Sequence, residues 1–96
     1  MPNFILVSYD IADPKRWQKV HRAMKGFGKA LQYSVFVCDL SDAQRVRMVS
    51  ILEDLIHTDQ DRVMIVDLGP ATGLAVERVE FLGRPEALPE KGPTIV

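Results

Sequence analysis

Several things are scarce in this chain, and each scarcity excludes something. There is one cysteine, Cys38, so neither an intrachain disulfide nor a cysteine-rich zinc cluster can form. Cys38 sits inside the apolar run "SVFVCDL" and reads as a small core hydrophobe. No apolar run is long enough for a transmembrane helix. The opening "MPNFILVSYD" has neither a basic n-region nor a small-residue cleavage site. The expectation is therefore a cytoplasmic protein without a signal peptide and without a membrane partner. No Gly-rich phosphate loop is present: "GFG" and "GPATG" match neither nucleotide fingerprint. There is no nucleophile elbow and no metal-spaced His/Cys set. His21 and His57 stand alone and read as structural or surface residues, with His57 at a helix C-terminus.

Acid is also missing locally. Residues 14–38 hold no Asp or Glu, yet they carry Lys15, Arg16, Lys19, Arg22, Lys25 and Lys29. The net charge of −1 hides this asymmetry. A basic first half against an acidic second half suits an anionic partner on one side, although a short basic helix face also serves solubility.

The 96 residues suit one domain, and a 47% apolar content gives it a real but small core. Asn3 to Asp10 is evenly apolar and predicts a central strand. Asp13-Pro14 predicts a helix start, with Asp13 as cap and Pro14 where a missing N–H costs nothing. Trp17, Val20, Ala23, Met24 and Phe27 recur at helical spacing, with Lys15, Lys19, Arg22 and Lys25 on the opposite face. Gly26 and Gly28 end this helix. Residues 29–40 form one bent strand or two short strands meeting near Tyr33-Ser34. Ser41 and Gln44 form a capping box for a second helix running to about Ile56. That helix turns Val49, Leu52, Leu55 and Ile56 to the core. Residues 61–68 predict a strand ended by Gly69-Pro70, and residues 74–82 an edge strand. Residues 1–82 would be the domain. Residues 83–96 would be a Pro/Gly-rich arm whose final "TIV" can pair with a partner subunit's sheet edge. The order implies an α+β fold: a ferredoxin-like two-layer sandwich with two helices on one face of an antiparallel sheet.

Asp10 asks for a reason. A carboxylate ending an apolar strand costs desolvation unless it is paired, hydrogen-bonded or metal-bound. One answer is a salt bridge to Lys15 or Arg16, or a bond to the first turn of the helix. The other is a Mg2+ site, since hard cations prefer carboxylate oxygens and need few of them when phosphate supplies the rest. One Asp becomes two across a two-fold axis.

"YDIADPKR" after an apolar strand, "FGKALQYSVFVCDL", a capped helix ending "LEDLI" and then "DRVMIVDLG" resemble CRISPR-associated protein 2. The likeness runs over roughly residues 3–69 and is most specific at "YDI" (9–11) and "QYSVF" (32–36). Tyr9, Asp10, Arg16 and Phe36 stand at motif positions. The resemblance implies a ferredoxin-like homodimer that takes part in spacer acquisition. There it bridges copies of the integrase, CRISPR-associated protein 1. It also implies, for several members, a metal-dependent endonuclease on RNA or DNA, with Asp10 of both subunits as catalytic residue and Mg2+ ligand. Tyr9 and Phe36 would support that site. Lys15, Arg16, Lys19 and Arg22 would meet nucleic-acid backbone. Nuclease members often carry a base where this chain has Trp17, and one where it has Ala30. These departures leave a DNA-holding scaffold role untouched. A toxin-like ribonuclease of the same fold is the alternative. A ligand-binding regulatory domain would want a polar, Gly-lined pocket, for which the sequence has no cluster.

Overall fold

A computed structural model describes residues 2–89. Its elements run β1 (Asn3–Asp10), α1 (Pro14–Lys25), β2 (Gly28–Gln32), β3 (Val35–Leu40), α2 (Asp42–Leu55), β4 (Arg62–Pro70) and a short α3 (Gly73–Glu77). The strands form one antiparallel sheet in the order β2-β3-β1-β4. This is the ferredoxin-like arrangement, with β1 flanked on both sides as its even apolarity required.

Strand alternation divides the core. Ile5, Val7 and Tyr9 of β1 point to one face with Phe36, Cys38 and Leu40 of β3. Val20 and Met24 of α1 and Met48 and Leu52 of α2 close over them. Phe4 and Val37 point the other way, where Leu31, Leu68 and Ala75 join them. Burial pushes the Cys38 thiol up to about 12, so it is an inert core residue.

The helix ends form as their sequences dictate. The Asp13 carboxylate accepts from the Arg16 N–H at 2.9 Å. Ser41 and Gln44 complete a reciprocal capping box at 3.2 and 2.8 Å. Residues 29–40 resolve into two strands joined at Tyr33-Ser34. Gly28 opens β2, where a Cβ would lie 2.9 Å from the Cys38 Cα and closer still to the Val37 carbonyl.

Three expectations need correction. Met48, absent from the predicted stripe of α2, is fully buried; Val49, Leu52, Leu55 and Ile56 of that stripe do pack on the core, all but Leu52 only partly buried. β4 continues through Gly69-Pro70, with Pro70 opposite Asn3 across an irregularity in the ladder. A proline is tolerated there because β4 is an edge strand. Residues 74–82 form no strand: α3 covers Gly73–Glu77, and an irregular segment follows. Ala75, Val76 and Val79 have the spacing of one helical turn and pack together on the second core cluster. Of the arm, Leu88 packs on that same cluster and Glu86 pairs with Lys29 at 3.6 Å. The terminal "TIV" lies outside the described residues.

Candidate functional site

The site grows from the C-terminal end of β1. Asp10 is exposed there, with Arg62 of β4 as its neighbour across the ladder. Among the described residues its carboxylate has neither an ion pair nor a hydrogen bond. The salt bridge to Lys15 or Arg16, one of the two readings of Asp10, is not made, and Arg16 is drawn to Asp61 instead. Asp10 lines a cleft of about 350 Å³ with Tyr9, Ile11, Ala12, Pro14, Trp17, Tyr33 and Ser34.

Asp61 takes the partner that Asp10 lacks. Its side chain is fully shielded from solvent, and it accepts from Arg16 Nε at 2.8 Å and Nη2 at 3.0 Å. It also accepts from the backbone N–H groups of Ala12 and His57, at 2.9 and 2.8 Å. The Arg16 hydrogen bond and these two N–H groups hold its carboxyl well below the usual carboxylate range. The same Arg16 nitrogen Nη2 reaches Gln60 Oε1 at 3.1 Å. This cluster ties the segment just after Asp10 to the loop before β4. A phosphate contact from Arg16 would use only what this clamp leaves of the guanidinium.

The other wall of the cleft is aromatic. Trp17 lies between His21 and Tyr33, with ring centroids 4.5 and 4.3 Å away and planes within 15° and 10° of parallel. Trp17 Nε1 donates to Ser34 Oγ at 2.8 Å, and the Tyr9 N–H donates to the Ser34 carbonyl at 3.0 Å. Tyr9 Oη and His21 Nδ1 share a hydrogen bond of 2.8 Å. Burial pushes the Tyr9 hydroxyl up to about 12, with a smaller push from Tyr33, so Tyr9 stays protonated. Burial, and then Lys25, lower the His21 pKa. Phe36 is buried and meets Tyr9 and His21 with its ring, so it supports this wall from the core.

Lys15, Lys19 and Arg22 are exposed on the outer face of α1. The structure thus gathers Tyr9, Asp10 and Phe36 around one strand end and leaves the three free bases on a separate face. Asp61, Tyr33 and Ser34 join the site without having been predicted as site residues, although the last two lie in the "QYSVF" stretch. Asp61 lies 45 residues from Arg16, and no local pattern links them.

The donor set bears on a metal. Among the described residues no three His, Cys, Asp or Glu side chains converge. Among the described residues the cleft offers a hard cation the Asp10 carboxylate alone, which fits Mg2+ only where waters, phosphate or a second chain complete the shell.

A family model described as "CRISPR associated protein Cas2" matches residues 3–72. The chain belongs to the Cas2 family. A Cas2 relative in Rhodospirillum rubrum, named CRISPR-associated endoribonuclease Cas2 1, is 51% identical over 79 residues, 82% of this chain and 76% of its own. One from Geobacter sulfurreducens, named CRISPR-associated endoribonuclease Cas2, is 39% identical over 84 residues, 88% of this chain and 87% of its own. Among solved structures, Streptococcus pyogenes Cas2 at pH 6.5 superposes with a TM-score of 0.72 at 28% identity. It covers 83% of this chain and 99% of its own. A Thermus thermophilus protein described as hypothetical superposes with a TM-score of 0.77 at 28% identity, over 93% and 100% of the two chains. The Cas2 match spans β1 to the end of β4, so it contains every residue of the cleft. Among the described residues no helix is long and apolar enough to cross a membrane.

Proposed function

We propose that this Cas2 protein is a CRISPR-associated endonuclease of nucleic acid that works as a homodimer around two copies of Asp10. One observation carries the reading. Asp10 ends the central strand of the sheet, exposed and with no structural partner among the described residues, while neighbouring Arg16 is satisfied by another acid. An acid with no task in the single chain is suited to a task outside it. The relatives' name, endoribonuclease, gives that task its class.

In a two-fold dimer the two Asp10 carboxylates would hold Mg2+, which supplies an activated water and offsets charge on the scissile phosphate. The chain's own contribution is positional. The Arg16–Asp61 clamp fixes the backbone that follows Asp10, and Ser34 fixes the turn across the cleft. The sheet face carrying the exposed Met64 and Val66 is a candidate for burial between the two copies. The test is cleavage of labelled RNA and DNA with Mg2+. Cleavage should stop with a chelator and with Asp10→Ala, and a variant that still cleaves, free of contaminating nuclease, refutes the mechanism.

The second reading is a scaffold that holds DNA beside the integrase CRISPR-associated protein 1 and cleaves nothing. The exposed Lys15, Lys19 and Arg22 favour it, since none of them joins an ion pair among the described residues. Duplex binding and integrase association by both the parent protein and Asp10→Ala, with cleavage by neither, supports it. RNA cleavage with no integrase association points instead to a toxin-like ribonuclease.

A further inference from the structure

The Cas2 cleft holds an aromatic group for which the endonuclease mechanism has no use. Tyr33 is 75% exposed, at the turn joining β2 to β3. Turns of this length favour small polar residues, and a large ring there has no core to fill. Yet it is ordered. One face lies on Trp17 at 4.3 Å and 10°, and the next residue, Ser34, is bonded to both Trp17 and Tyr9. Trp17 is in turn backed by His21, which Tyr9 holds. The result is a column of three rings, anchored at the His21 end and open to water at the Tyr33 end.

We propose that the open face of Tyr33 is a stacking site for one unpaired nucleobase, entering the cleft that Asp10 lines. The inference rests on the proposed action on nucleic acid and assigns to Tyr33 the holding of one base of its substrate. Two features support it. A base has two apolar faces and stacks on an aromatic ring whatever its sequence. The column is already stacked and hydrogen-bonded, so binding loses little freedom at the platform. A base inside a duplex would have to leave its stack to use the site, so duplex interiors gain nothing from it.

The chain's single tryptophan is Trp17 itself, so its emission reports on the column. The full-length protein is titrated with oligouridylate, with oligothymidylate and with an adenylate–uridylate duplex. Both single strands should change Trp17 emission on binding. Tyr33→Ala should lower single-strand affinity relative to duplex by about 10-fold or more, and Tyr33→Phe, which keeps the ring, should restore it. Circular dichroism confirms folding, and anisotropy of labelled strands gives the affinities independently of Trp17. If Tyr33→Ala binds single strands as the parent protein does, the stacking site is overturned while the nucleic-acid function stands. If the parent protein binds none of the three probes at low salt, both fall.

Discussion

Asp61 grips the guanidinium of Arg16 through two hydrogen bonds, at 2.8 Å to Nε and 3.0 Å to Nη2. The pair joins the first turn of α1 to the residue before β4, and Asp61 spends its remaining capacity on the Ala12 and His57 N–H groups. Asp10 is thereby left out of local ion pairing. A residue two positions from Asp10 is fixed, while Asp10 itself faces the cleft.

A pH dependence follows from this clamp. The folded-state pKa of Asp61 lies below its ordinary value, mainly through Arg16, so the ionised form is the one that stabilises the fold. That stability is fully present above the ordinary carboxylate pKa. It declines as pH falls below about 4 and is lost once pH passes the folded value. Urea unfolding of the parent protein and Asp61→Asn should show the parent more stable at neutral pH, with the gap closing on acidification. A gap that stays constant with pH would assign the difference to packing instead.

The free bases of α1 should act through phosphate alone. Replacing Lys15, Lys19 and Arg22 by alanine should weaken binding to duplexes of any sequence. The slope of log affinity against log salt should become shallower by about 1 for each phosphate no longer neutralised. These side chains are exposed, so stability should move by no more than about 0.5 kcal/mol. Filter binding over a salt series checks this, and an unchanged slope would place the nucleic acid on another face.

Gly28 makes a prediction about the core rather than the site. A methyl group there would run into the Val37 carbonyl and lie 2.5 Å from Cys38 Sγ. Gly28→Ala should destabilise the fold by about 1–3 kcal/mol, read as a lower urea midpoint with an unchanged slope. A neutral outcome would mean that β2 moves off β3 at little cost.

Much of this fold could be read in the sequence because its signals are local. Asp13-Pro14, the Ser41 to Gln44 box and the even apolarity of β1 each specify their own few residues, and the order of elements then restricts the topology. The failures have tertiary causes. Residues 74–82 mix apolar and charged positions in a way that fits a strand or a helix. The second core cluster decides for a helical turn by taking up Ala75, Val76 and Val79 together. Asp10 was visible as an acid in need of a reason. Its alternatives could be separated only when Arg16 was seen on Asp61, a partner across the fold. Trp17 read as an apolar anchor. It is also the middle of a ring column, because Tyr33 sits in the turn between β2 and β3, a junction that the sequence located without deciding between a bend and a break.

The central claim is that catalysis needs Asp10 from two chains at once. Parent protein and Asp10→Ala are unfolded together in equal amounts, refolded as random dimers and assayed with Mg2+ for cleavage. If both carboxylates serve one site, activity falls to about a quarter of an all-parent sample, the share of dimers with two Asp10 residues. A fall to about a half would show that each chain works alone, and contradict the account.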